Sequence, residues 1–164
     1  MIAKETLQLP EISQLPDFGL YMDQVITYME KSYPKKPLTK TMINNYSKDK
    51  ILFPSIKKKY SREHLMLLSL IQILKRTLTL PEIKILLGPI SKECAKGETE
   101  SLYTLYEDFH GLFKATLSQS EDLRITASEG LSDSRVKILV YSLISAYFGN
   151  LSEELLAETE RLNQ

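Results

Sequence analysis

A chain of 164 residues, 43% hydrophobic and 26% charged, is long enough to bury a core of its own and too apolar to be disordered. Its single cysteine, Cys94, excludes an internal disulfide, and neither a signal-peptide pattern nor an apolar run of spanning length occurs, so a reducing, cytoplasmic home without a membrane is expected. The net charge of zero hides a segregation: residues 31–76 carry twelve Lys or Arg against Asp49 and Glu63, a net of +10, while residues 1–30 sum to −4 and residues 91–164 to −6. Such a basic middle marks a surface that meets a polyanion.

In chain order, residues 1–16 carry Pro10 and Pro16 with no sustained period and are expected to form an extended arm. Asp17 is placed to cap a helix from about Leu20 to Tyr33, in which Val25, Ile26, Met29 and Tyr33 recur at helical spacing. Pro34 and Pro37 end it. Thr39 caps a second, short helix reaching about Lys50, with Met42, Ile43 and Tyr46 on its apolar side and Lys40, Thr41, Asn44, Asn45 and Lys48 on the other. Pro54 breaks the chain, and residues 55–60 make a basic connector too polar for core, with room for a two-residue ladder around Phe53 and Tyr60. Ser61 caps a third helix through about Lys75, apolar nearly all round and so central. Thr79-Leu80-Pro81-Glu82 has the form of a capping box, with Pro in the first turn where its missing N–H is not needed. The fourth helix that follows is expected to stop at Gly88-Pro89, dividing residues 17–88 from a helical region over 89–164.

Beyond that boundary, Leu102, Leu105, Tyr106, Phe109, Leu112, Phe113 and Thr116 trace one helical face, and Val136, Leu139, Val140, Leu143, Ile144 and Tyr147 another. The stretch from Gln119 to Leu131 has no clear period, Gly149-Asn150 is expected to close the second helix, and Leu151, Leu155, Leu156 and Leu162 mark a last amphipathic one. The fold class is all-α. Leu65, Leu68, Ile71, Leu74, Ile83 and Leu87 are expected to be buried together.

The second helix carries the functional reading. A major groove admits one helix, Asn pairs bidentately with adenine, and Lys reaches phosphate or guanine, so Lys40, Thr41, Asn44, Asn45 and Lys48 on one side form a candidate reading face. Lys57, Lys58, Lys59 and Arg62 follow where a turn or small wing touches flanking backbone, adding salt-dependent affinity without base choice. A solvated surface is the competing reading of both. Catalytic chemistry finds no footing: His64 and His110 are the only histidines, the Glu107–His110 pair has no second copy, Cys94 stands alone between Lys92 and Lys96, and no phosphate loop occurs. The chain is therefore expected to be no enzyme and to need no metal or cofactor. Tyr103, Tyr106, Phe109, Phe113, Tyr141, Tyr147 and Phe148 are read as core, with an effector pocket as the alternative.

The run Asn45-Tyr46-Ser47-Lys48-Asp49-Lys50-Ile51-Leu52, then Pro54, Tyr60-Ser61-Arg62-Glu63-His64-Leu65, Leu68, Ile71, Leu74, Leu80, Glu82-Ile83-Lys84 and Leu87 resembles the headpiece of MerR-type regulators. In that family a Tyr ends the recognition helix, a Leu-Leu-x-Pro step enters the wing, a Tyr leaves it, and a Leu-x-Glu-Ile-Lys helix packs behind. The segments Leu20-Tyr21-Met22-Asp23-Gln24-Val25 and Leu38-Thr39-Lys40-Thr41-Met42-Ile43-Asn44-Asn45-Tyr46 further resemble an uncharacterised bacterial family of MerR-related proteins, known only as a domain of unknown function, over most of the chain. The resemblance implies a helix-turn-helix headpiece over residues 17–88 with a reduced wing, then a helical dimerisation or effector region over 89–164. Double-stranded DNA, a second copy of the chain and an unidentified small-molecule effector are the partners it brings. This sequence departs from the MerR pattern at Lys50 (a Gly there), Asn44 (an Arg), near His64 (an Asp) and in its shortened wing. The runner-up is a protein-interaction module whose basic face binds an acidic protein.

Overall fold

A computed structural model describes residues 7–164; residues 1–6 of the expected arm lie outside the described residues. Among the described residues the fold is all-α, six helices and one short 3-10 turn at Ile12–Gln14, with no strand. The chain forms two compact units that divide between Gly111 and Leu112. The helices are α1 (Met22–Ser32), α2 (Lys40–Lys48), α3 (Arg62–Leu74), α4 (Leu80–Ala95), α5 (Glu100–Ser128) and α6 (Ser134–Leu162), so the division falls inside α5.

Unit 1, the part up to Gly111, is organised around α3. Every residue from His64 to Gln72 is buried, as an all-round apolar helix requires, and α4 packs against it. Leu65, Leu68, Ile71, Ile83 and Leu87 are buried as expected, while Leu74, in the last turn of α3, is only half-buried. Val25 and Met29 of α1, Ile43 and Tyr46 of α2, and Leu102 and Tyr106 of α5 are buried as well. Three of the expected caps form. The Thr39 hydroxyl accepts the Met42 N–H at 3.2 Å, Ser61 donates its N–H to His64 Nδ1 at 2.9 Å, and Thr79 donates its N–H to the Glu82 carboxylate at 2.6 Å.

Asp17 does not cap α1. Leu20 and Tyr60 exchange backbone hydrogen bonds of 2.9 and 2.8 Å, which holds the chain extended at Leu20, so the helix starts at Met22 and the Tyr21 N–H goes to Gln24 Oε1. The same pairing buries Tyr60, the one residue of the basic connector that proves to be core. Nor does Gly88-Pro89 end α4, which runs on to Ala95. A proline inside a helix costs about 3 kcal/mol, yet Leu87, Ser91 and Cys94 are all buried and hold the helix to the core on both sides of it. The end comes at Gly97, whose φ of +85° closes a Schellman turn with Glu98 N–H on Glu93 O.

Unit 2, Leu112–Gln164, holds the rest of α5 and all of α6, joined by a turn in which Gly130 takes a φ of +72° and Asp133 caps the Arg135 N–H at 2.8 Å. The stretch without a period, Gln119 to Leu131, is helical to Ser128. Its polar side chains answer to their own helix, with Ser120 on Thr116 O, Thr126 on Asp122 O and Arg124 on the Glu121 carboxylate, so they neither break it nor leave an apolar stripe. Gly149-Asn150 does not close α6 either; one glycine costs only about 1 kcal/mol in a helix interior, and the two helices expected there are one. Of the aromatic set read as core, Tyr106 is buried, whereas Tyr147 and Phe148 are exposed. No helix among the described residues is long and apolar enough to cross a membrane.

Candidate nucleic-acid interface

The candidate face is built by anchoring α2 from one side. Ile43 and Tyr46 are fully or almost fully buried, Leu38 is buried just before the cap, and the Tyr46 carbonyl accepts N–H groups from Ile51 (2.9 Å) and Leu52 (3.1 Å). Ile51, Leu52 and Phe53 are buried in turn, so the helix is held at both ends. With that side fixed, the period of 3.6 leaves Lys40, Thr41, Asn44, Asn45 and Lys48 all exposed, and Thr41, Asn44, Asn45 and Lys48 stack on one face. At Lys50 the chain turns with φ +61°, the left-handed C′ conformation that usually takes Gly, which is where the MerR resemblance expects one.

The basic connector is a tight turn. Ile56 and Lys59 exchange N–H···O bonds of 3.0 and 2.9 Å, and Lys57 and Lys58 between them have φ of +50° and +64°. Positive φ at both central positions is the two-residue hairpin turn that ordinarily takes Asn-Gly. It leaves Lys57 and Lys58 exposed at the tip. Lys59 behaves differently: its stem lies against Gly19, where an added Cβ would sit 2.9 Å from Lys59 Cβ, and its ammonium stands 5.4 Å from the Tyr21 ring centroid. Arg62 is also occupied. Its side chain is only 27% exposed, Nε and Nη2 both donate to the Leu15 carbonyl at 3.3 Å, and Nη2 lies 3.8 Å from the Asp17 carboxylate. Of the nine candidate residues, seven therefore project freely and two tie neighbouring segments down.

His64 links the two basic elements. It is fully buried, stacked on Phe53 with centroids 3.7 Å apart and met edge-on by Tyr60 at 5.2 Å. Because Nδ1 takes the Ser61 N–H, the ring proton belongs on Nε2, which reaches the Phe53 and Pro54 carbonyls at 3.2 Å each. The neutral ring thereby clamps the strap between α2 and the turn onto the start of α3. Burial lowers its pKa below the ordinary value, opposed by those carbonyls and by Glu63. The loop before α2 is fastened similarly, by Gln72 Nε2 and Lys75 Nζ on the Lys36 carbonyl at 2.6 and 2.7 Å.

Sequence reasoning missed three residues around the tip. Phe18, Tyr21 and Ile56 are large, apolar and exposed, two residues or fewer from the paired Leu20 or directly beside the lysine pair. Only the break in helical period before Met22 could have flagged the first two. Elsewhere, His110 and Glu107 line a shallow depression with Glu11, Ile12, Tyr106 and Gly111, and no group of three or more metal-ligating side chains occurs among the described residues. Lys92 and Lys96 do not activate Cys94; burial first, then Glu63 and Glu93, push its thiol up to about 11.

A family model described as a domain of unknown function, DUF1836, matches residues 10–109, a span that contains α1 to α4, the tight turn and every candidate residue. No curated protein and no solved structure gives a match.

Proposed function

This chain belongs to the DUF1836 family, and from that premise, which brings no activity with it, we propose that unit 1 is a DNA-binding headpiece with a MerR-like helix-turn-helix, part of a transcriptional regulator and not an enzyme. One observation carries the reading: a nine-residue helix whose opposite side is locked into the core presents Lys40, Thr41, Asn44, Asn45 and Lys48 to solvent, within a segment of net charge +10. In this role α2 enters the major groove, Asn44 and Asn45 meet base edges, and Lys40 and Lys48 meet phosphates. The four-residue turn at Ile56–Lys59 replaces a longer wing, and Lys57 and Lys58 supply its backbone contacts.

Binding to double-stranded genomic fragments at two salt concentrations tests this. The expected result is one preferred fragment and a binding constant that falls steeply with salt, with the slope flattened by about one unit for each lysine among Lys57 and Lys58 replaced by alanine. Salt-insensitive binding, or equal affinity for every fragment, overturns it. The second reading, an acidic protein partner, is favoured by Phe18, Tyr21 and Ile56, because apolar side chains beside a basic cluster resemble the centre of a protein interface. It predicts that alanine at Tyr21 and Ile56 abolishes partner binding while DNA affinity is absent from the start.

A further inference from the structure

The tight turn and the extended segment before α1 build a surface of their own beside the candidate reading helix. Leu20 and Tyr60 exchange backbone hydrogen bonds and are both buried, so by the alternation of extended chain their neighbours Tyr21 and Lys59 point outward, opposite each other. Lys59 in turn pairs with Ile56 across the turn. Tyr21, Lys59 and Ile56 thus form one outward row, with the Lys59 ammonium 5.4 Å from the Tyr21 ring centroid and its aliphatic stem against Gly19. Phe18 precedes that glycine in the chain. Phe18, Tyr21 and Ile56 are 64, 54 and 65% exposed, and Lys57 and Lys58 stand exposed at the tip beside Ile56.

Three large apolar side chains set among three lysines call for a partner that is apolar and anionic at once. The phosphate backbone of a duplex supplies charge and no apolar surface to meet them. A base-stacking platform needs open ring faces, whereas Ile56 has no ring and one face of Tyr21 looks at the Lys59 ammonium. A protein interface takes about 800 Å² from each partner, and three side chains exposed to this degree offer on the order of 350 Å². A bilayer surface needs less: a few apolar side chains that reach below the headgroups, a tyrosine at headgroup level, and lysines that meet anionic lipid. The turn closes through its own main chain, so its tip can enter such a layer without refolding.

We propose that Phe18, Tyr21 and Ile56, with Lys57, Lys58 and Lys59, dock peripherally on an anionic bilayer surface, the apolar side chains entering the headgroup layer and the lysines meeting the lipid anions. This contact spans nothing. It is independent of the DNA reading, and because its readout contains no nucleic acid either one can fail alone.

The chain has no tryptophan, so Ile56→Trp in the full chain places a lone fluorescent reporter at the tip. With vesicles of phosphatidylcholine and phosphatidylserine its emission should shift to the blue and be quenched by brominated lipid, while Phe148→Trp, an exposed position in unit 2, keeps its emission. In co-sedimentation with the same vesicles, Lys57→Ala combined with Lys58→Ala should weaken binding about thirtyfold, and Ile56→Asp about tenfold. Vesicles of phosphatidylcholine alone should not bind. These positions lie outside the core, so circular dichroism should show unchanged helix content in every variant. An Ile56→Trp reporter that neither shifts nor is quenched, a Phe148→Trp reporter that responds in its place, or equal binding to neutral vesicles would each overturn the proposal. So would Ile56→Asp binding as tightly as wild type, which is adsorption by charge alone. A blue shift of Ile56→Trp with duplex DNA or polyglutamate and none with vesicles would assign the tip to a polyanion instead.

Discussion

Helix α3 and helix α6 are each free of charged residues over long, mostly apolar stretches, yet His64–Gln72 disappears from solvent completely, while α6 buries Leu156 alone. The difference lies in what surrounds them. Short helices separated by Pro34, Pro37 and Pro54 pack with α3, and N-caps at Thr39, Ser61 and Thr79 start each new helix directly after a turn. Unit 2 has only two long helices, and a pair of helices can cover one stripe of each and no more. Apolar content therefore announces that a face will be covered, and the number of local elements decides whether the same chain can do it.

The sharpest way to break that contrast is a leucine truncation in each unit. Leu68→Ala empties a fully buried site and should lower the unfolding free energy by about 2–5 kcal/mol. Leu143→Ala, at a site 71% exposed in the single chain, should change it by less than about 0.5 kcal/mol. Equal losses in urea unfolding would mean that Leu143 has an intramolecular partner. A second comparison separates reading from folding: on the DNA-binding reading proposed above, Asn44→Ala should cost roughly 1–3 kcal/mol at one base position and relax preference there, while leaving thermal stability as it is, because the side chain is exposed. A fall in melting temperature in that variant would show that Asn44 also supports the fold.

Between neutral pH and the carboxylate range the pH response should also be confined to unit 1. Burial holds the folded-state pKa of His64 below its ordinary 6.5, so the fold favours the neutral ring. Its contribution is complete above 6.5; as pH falls below that value the unfolded chain takes up the proton first and stability declines, levelling off below the folded value. Protonated Nδ1 would face the Ser61 N–H, donor against donor. Melting temperature followed from neutral pH downwards should fall in this window for the wild type and stay flat there for His64→Gln, in which a glutamine oxygen can still accept the Ser61 N–H. A flat wild-type profile above the carboxylate range would show that the ring is not the titrating clamp.

Local signals were legible and distant ones were not. Thr39, Ser61 and Thr79 reveal helix starts because a cap is completed within three residues, and the polar face of α2 follows from Ile43 and Tyr46 by periodicity alone. The early start assigned to α1 fails because Leu20 is held by Tyr60, forty residues away in sequence. Gly88-Pro89 misleads because burial of Ser91 and Cys94 outweighs a local preference. Lys59 and Arg62 look like free cations in sequence and are engaged in the fold, their partners being Tyr21 in one case and Leu15 and Asp17 in the other. No window of a dozen residues contains those pairs.

The turn at Ile56–Lys59 closes entirely through its own main chain. Its shape is therefore indifferent to which side chains stand at its two tip positions, provided they tolerate positive φ, and Asn-Gly would satisfy that with less backbone strain than Lys57-Lys58 does. Architecture and cargo are separable at this point of the molecule. The loop is a fixed bracket on which charge, polarity or bulk can be exchanged without rebuilding the wall that carries it.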